Sequence, residues 1–293
     1  MPTGGAAVVA EFRGDWKFQR EFFNLTAHYG ANQLCNFCRA KKTGPESFGM
    51  DLTKQYQRRS RQDILDNAMG SLKNPLSELS WFDARWQLKP CTMHIVNLGI
   101  LQVHNGSCLQ LLIEQNFFGT LDVHAALHEA SLRFKRFASA AGMRHSVGII
   151  TPGMMHDTAL GAFPCLTLKA YNGRIFLSFV HVCLRTLCAG TTTREVQLAS
   201  AASQSLVQWF QTQESSNRRF VEAAAARRLM ECTDTFLRLT SGLARLALQA
   251  ATLRWKLLPK HHAARVQIRS VFFQTAGTFF VVKQHVLLDE AND

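Results

Sequence analysis

Residues 11–38 read EFRGDWKFQREFFNLTAHYGANQLCNFC. A short apolar run closed by a glycine leads to one acidic residue, an aromatic-rich segment and a Cys-x-x-Cys pair, and the fold depends on what Asp15 does there. The apolar, β-branched run Ala6–Phe12 predicts a short strand that Gly14 ends. Asp15 then falls at the strand's C-terminal end, where α/β proteins commonly carry functional side chains. The plainer reading is a turn or helix N-cap aspartate. Trp16, Phe18, Phe22 and Phe23 recur at mixed spacing and suit a short helix running to Leu25.

Working outward, Lys41–Gly49 reads as loop and Asp51–Met69 as a polar, solvent-facing helix. KNPLSELSWFDARWQLKPC reads as an extended connection, and HIVNLGILQVHNGSCLQLLI as helix, glycine break and helix. A further helix is expected over Thr120–Ala141, with Leu121, Leu132, Phe134 and Phe137 on one apolar side, and loop over Gly148–Phe163. Lys169–Cys188, Arg194–Gln213, Asn217–Asp234 and Leu237–Leu257 are rich in Ala, Leu and Arg and predict four helices, the last ending at Pro259. Thr192 and Thr193 are candidate N-caps within GTTTRE. A helix over His262–Phe272 and a strand in GTFFVVKQHVLL complete the chain.

The 293 residues carry 33 Lys+Arg against 21 Asp+Glu, a net charge of +12 that favours polyanionic partners or anionic surfaces. The longest apolar stretch, Ile175–Leu184, is far shorter than the roughly 18 residues a spanning helix needs. No membrane association is therefore expected. Eight irregularly spaced cysteines do not form a secreted disulfide framework, and the first residues have no signal-peptide core. A reducing compartment, nucleus or cytoplasm rather than the exterior, is the expectation. No G-x-S-x-G, P-loop or dinucleotide fingerprint occurs, which argues against the common hydrolase and NTPase classes.

Three constellations could carry chemistry. Cys35-x-x-Cys38 is half of a tetrahedral zinc site, and Cys91-x-x-His94 supplies a second half of suitable form; reduced buried cysteines are the alternative. His124 and His128 share a helix face with Glu129 beside them, but Ala125 occupies the place of the general base in H-E-x-x-H, so a solvent-facing pair is the simpler reading. Lys260, His261 and His262 follow Pro259 and offer either a phosphate contact or a cap on the preceding helix end.

In this order the pieces resemble the C-terminal part of a eukaryotic cut-and-paste DNA transposase with an RNase H-like core. GDWKFQREFFNLTAHYGANQLCNFCRAKK is similar to the segment that follows the second catalytic aspartate, and PCTMHIVNLGI to the C/D-x-x-H signature. LRWKLLPKHHAARVQIR resembles the basic, His-rich helix near the end of such cores, and HVLLDEAND the acidic segment that supplies the last carboxylate. The resemblance implies that Asp15 is the second carboxylate and Glu290, or else Asp289, the third. In the resembled family three carboxylates hold two magnesium or manganese ions for in-line attack at phosphorus. Only fourteen residues precede Asp15, so the first strands and first carboxylate are expected to be missing and the catalytic site incomplete.

The expected fold is predominantly α-helical α+β, the remnant of an RNase H-like sheet with a large helical insertion. Residues 1–115 form a partial core with the CxxC and CxxH motifs, 116–258 the helical insertion, and 259–293 a helix and strand completing the core. The expected function is that of a transposase-derived, catalytically inactive protein with structural zinc that retains non-specific DNA binding through its basic surface. The alternatives are a basic helical interaction or scaffold protein without site chemistry, and a nonfunctional product that folds poorly.

Overall fold

Helix formers at 3.6-residue spacing dominate residues 93–273, and helices are what they form. The computed structural model describes residues 11–45, 47–68, 74–155, 162–190, 193–216 and 221–273; of 67–68 and 267–273 only the backbone is described. The structure is mostly helical with one two-stranded parallel sheet. In chain order it runs β1 (Phe12–Gly14), α1 (Trp16–Phe23), α2 (Arg61–Asp63), α3 (Ala84–Gln87), β2 (Leu88–Pro90), α4 (Leu101–Glu114), α5 (Val123–Ala140), α6 (Ala170–Ala189), α7 (Arg194–Ser215), α8 (Ala223–Gln249) and α9 (Pro259–Phe273).

The large core lies among α4 to α9. Helix α5 buries Ala126, Leu127, Ala130, Phe134 and Ala138, a stripe at three- and four-residue spacing, and turns its polar side outward. Phe134 meets Phe176 and Phe179 of α6 at ring separations of 5.2 and 5.7 Å. Each fully buried phenylalanine of this kind contributes roughly 1.5–3 kcal/mol. Helices α7 and α8 pack together most extensively, and α6 and α9 lie against them. Gly106 of α4 permits a close crossing, since a Cβ there would stand 2.8 Å from the backbone nitrogens of Cys165 and Leu166.

A smaller core joins the sheet to α1. Phe23 stacks on Phe82 at 5.9 Å and meets Phe12 edge-on, with Leu25, Ile64 and Leu88 around them. β1 and β2 pair in parallel, Phe12 against Leu88 and Gly14 against Pro90.

Several expectations change. Asp51–Met69 is not a solvent-facing helix: Asp51–Ser60 is turn and loop, followed by α2 and a π turn at Ile64–Ala68, and Ile64 and Leu65 are buried in the smaller core. The extended connection contains a 3-10 turn at Pro75–Glu78, α3 and β2. The break expected near the glycine does occur: the helical segment Met93–Ile100 kinks at Leu98, the residue before Gly99, and then runs on into α4. The two helices expected over Asn217–Asp234 and Leu237–Leu257 are largely one, α8, because Thr233 and Thr235 leave the backbone ladder intact and Thr233 returns its hydroxyl to the Leu229 carbonyl. Leu121 lies outside α5 and is exposed. Thr193 stands at the N-cap of α7 without a side-chain cap bond. Thr192, the strand expected in GTFFVVKQHVLL, and most of Ala6–Phe12 lie outside the described residues. Among the described residues no helix is long and apolar enough to cross a membrane.

Two histidines sit deep where α4, α8 and α9 meet. His104 shares a 2.9 Å hydrogen bond with Ser203, its ring 5.5 Å from Phe236, and His261 stacks on the same phenylalanine at 6.1 Å. Burial pushes His104 down to about 3 and His261 to about 4. Both are therefore neutral in the folded chain at pH values where the unfolded chain, near 6.5, binds protons. The unfolded state takes up more protons below pH 6.5, so stability present above that value is lost as pH falls. The expected loss at pH 5 is about 2 kcal/mol per histidine. Denaturant titration at pH 7 and pH 5 measures it, and His104→Gln should remove about half; equal stability of the parent at both values contradicts the account.

Candidate metal centre and the Asp15 edge

The parallel pairing of β1 and β2 continues one step beyond the strands, where the Cys91 N–H donates to the Gly14 carbonyl at 2.8 Å. That bond holds Asp15 and the Cys91–His94 turn at the same end of the sheet. Asp15 caps α1: its Oδ1 accepts from the Phe18 N–H at 2.7 Å. Its Oδ2 lies 3.9 Å from His94 Nε2. The Nδ1 of His94 is buried without a hydrogen-bond partner. The turn reading of Asp15 and its position at a strand's C-terminal end are therefore both correct, since one aspartate occupies the N-cap that directly follows the strand.

A third charged group approaches from α9. Lys260 Nζ donates to the Leu98 carbonyl at 3.0 Å, an acceptor made available by the off-helix geometry at Leu98. Gly99 leaves room for the lysine, because a Cβ there would stand 2.2 Å from Lys260 Cδ. Burial lowers the pKa of Lys260, while Cys165 and Asp15 pull it back up.

A cluster that could hold a metal ion lies elsewhere. Cys35, Cys38 and His262 bring one donor atom each within 4.8 Å of one another, and all three are buried. The cysteine turn is held on two sides. Leu34 N–H bonds to the Ala40 carbonyl at 3.1 Å, and Arg39 and Arg59 exchange backbone bonds with Gln57 and Phe37 at 3.0 Å. Below it, Asn36 pairs through its amide with both backbone groups of Ala27 at 3.0–3.1 Å. His262 enters from the first turn of α9, its Nε2 3.2 Å from Cys38 Sγ, with Tyr56 edge-on to its ring at 5.2 Å.

The electrostatics suit a cation. The hydrogen bond from Cys38 holds the Cys35 thiol well below the ordinary thiol range, and the Phe37 N–H, 3.3 Å from Cys35 Sγ, acts in the same direction. The same pairing with Cys35, aided by burial, pushes Cys38 up. The two thiols are thus unequal, Cys35 the more acidic, and both must give up their protons when a metal enters. Two sulfurs and an imidazole form a soft donor set, suited to zinc or copper(I) rather than magnesium or calcium. Val266, one turn beyond His262, packs against the cysteines and offers no donor.

The expected joining of the Cys35–Cys38 and Cys91–His94 halves is corrected. Among the described residues Cys91 and His94 belong to no cluster of three ligating groups. The β1–β2 pairing ties them to Asp15, and α9 brings His262 to the cysteines instead. The expected phosphate contact is corrected for His261 and His262. These residues do not follow a helix end; they begin α9, with Pro259 at its first position. His261 and His262 are buried, whereas the half-buried Lys260 gives one of its three donors to the Leu98 carbonyl. His262 as a ligand was missed; the signal available was a buried-type histidine next to Pro at a helix start, and nothing local pairs it with a motif 224 residues away. His124 and His128 are exposed on α5, as the simpler reading expects. Glu290 and Asp289 lie outside the described residues.

No family model, curated protein or solved structure matches the chain.

Titration with Co²⁺ reads this donor set directly. Thiolate-to-cobalt absorption in the near ultraviolet is expected for the parent and for Cys91→Ser and His94→Ala, and is expected to vanish in Cys38→Ser and fall sharply in His262→Ala. Loss of the band on changing Cys91 or His94 instead would restore the other ligand set.

Proposed function

We propose that the chain is a transposase-derived nucleic-acid-binding protein, a remnant of an RNase H-like core organised around structural zinc, without DNA-cleaving activity of its own. The observation that carries this reading is the Asp15 edge. A carboxylate follows the first strand of a parallel pair, and the Cys-x-x-His turn follows the second, with His94 3.9 Å from the carboxylate. Side chains at the C-terminal ends of parallel strands are where this class of sheet carries out its chemistry.

Zinc is the metal best matched to Cys35, Cys38 and His262, because its bonds to sulfur and imidazole nitrogen need only about 2.0–2.3 Å and little movement of a preformed turn. Bound there, it would tie α9 to the cysteine turn and supply folding energy rather than chemistry. The two-metal phosphoryl-transfer centre is a different matter. It needs carboxylates that hold magnesium or manganese ions about 3.5–4 Å apart. Among the described residues Asp15 belongs to no cluster of three ligating groups, and its visible neighbours are His94 and Lys260. A nearby ammonium opposes divalent cation binding.

The net charge of +12 supports the nucleic-acid half of the reading. Arg58–Arg61, Arg218–Arg228 and Arg254–Arg269 are the basic stretches, although Arg254 and Arg265 are buried and engaged in ion pairs with Glu195 and Asp234.

Supercoiled plasmid incubated with the purified chain and Mn²⁺ should remain supercoiled, for the parent and for Asp15→Ala alike. Nicking by the parent that Asp15→Ala abolishes would reveal a complete site. In parallel, a labelled DNA should bind at about 50 mM salt and be released by about 200 mM. No binding at low salt would leave a basic helical interaction protein as the better reading.

A further inference from the structure

Beside the metal-ligating cluster lies a cleft of about 240 Å³ whose wall includes Cys38 and His262. Five cationic side chains line it: Lys54, Arg58, Arg59, Arg85 and Arg265. Among the described residues no carboxylate lines it. Asp83 and Asp234 pair with Arg85 and Arg265 from outside the lining. Three aromatic side chains, Phe37, Tyr56 and Trp86, alternate with the cations. The Lys54 ammonium lies over Tyr56 at 5.4 Å, and the Arg85 guanidinium lies 5.9 Å from the Trp86 ring.

Five cations against the two carboxylates that pair with them favour an anionic ligand, and the aromatic faces favour a flat one. A cleft this size is smaller than the roughly 300–1,000 Å³ of a drug-sized pocket, so it takes one monomer unit and excludes a stacked base pair. Phosphate groups pair with arginine forks, and nucleobases stack on aromatic faces with little regard to sequence. A carboxylate-bearing ligand would meet the arginines but gain nothing from the rings.

Resting on the nucleic-acid reading above, we infer that this cleft is the binding point for single-stranded nucleic acid, admitting one unstacked nucleotide with its base against Trp86 and its phosphates on Arg58 and Lys54. The site is rigid where it needs to be. Arg59 donates from Nε to the Cys38 carbonyl at 3.4 Å, and Arg265 Nη1 donates to the Lys54 carbonyl at 2.5 Å, so the cleft and the cysteine turn are built from the same backbone. Arg58 is exposed and Trp86 half-buried, which leaves both within reach of a strand passing over the surface.

Fluorescence anisotropy with a labelled oligodeoxythymidylate of about 12 nucleotides tests the inference. Duplex DNA of the same length and an abasic strand carrying the same phosphates serve as comparisons. The single strand should bind at least fivefold more tightly than either. Trp86→Ala should remove that preference, and Trp86→Phe should keep most of it, which separates stacking from misfolding. Arg58→Glu should weaken binding at least tenfold, whereas Arg185→Glu, an exposed cation on α6 outside the cleft, should change it less than twofold. Equal affinity for all three nucleic acids, or equal losses in Arg58→Glu and Arg185→Glu, overturns the cleft and leaves diffuse charge as the cause. Failure of every probe to bind overturns both the cleft and the nucleic-acid reading beneath it.

Discussion

Three consecutive side chains at the start of α9 tie the large core to the sheet edge and to the cysteine turn. Lys260 reaches the Leu98 carbonyl beside the Asp15 edge, His261 inserts into the large core against Phe236, and His262 meets Cys35 and Cys38. Successive residues of a helix point about 100° apart, so one turn can serve three directions only if the helix begins at a fixed place and angle. Pro259 pre-sets the backbone of that first turn. The Leu258 N–H, donating to His261 Nδ1 at 2.9 Å, holds the entry from the preceding residue.

What fixes that place is a buried charge network in the segment between α8 and α9. Arg254 makes a bidentate pair with Glu195, at 3.0 and 2.9 Å, and a further pair with Glu114. Trp255, whose φ of 57° lies in the left-handed region, donates its indole N–H to Glu195 at 2.7 Å and its backbone N–H to Ser107. An arginine this buried is tolerable only with its fork filled; removing Glu195 would leave it only the partly exposed Glu114, at a cost below the about 3–5 kcal/mol of breaking a fully buried pair. The network joins α4, α7 and the segment before α9. The position of His262 is thus set from the helical core, not from the cysteine turn it completes.

The helical core was the legible part. α5, α6 and α7 follow apolar spacing and helix-forming composition closely, because each buries a single continuous stripe. The small elements were not legible for the opposite reason. β1 and β2 have three residues each, and their pairing rests on Phe12, Phe23, Phe82 and Leu88 meeting from distant places. Ile64 and Leu65 are too few to mark Asp51–Met69 as anything but polar, yet their burial decides that region's course. At the site, the Cys35–Cys38 spacing announced a metal-ligating turn and Asp15 announced the strand end. Their partners did not follow from spacing. Cys91-x-x-His94 has ligand form but is claimed by a backbone bond to Gly14, and His262 has no motif around it.

The cysteine turn and its histidine are 224 positions apart, with the whole helical core between them. The entropy of closing a flexible loop grows only with the logarithm of its length, about 0.6 kcal/mol per doubling. A junction that already spans most of the chain is therefore nearly indifferent to residues added or removed between its ends. Surface connections such as residues 119–122, between the buried Phe118 and α5, can lengthen or shorten at little expense to the cysteine–histidine contact, provided Arg254 still finds its two glutamates. The sheet edge and the cysteine turn are in this sense insulated from drift in the helices.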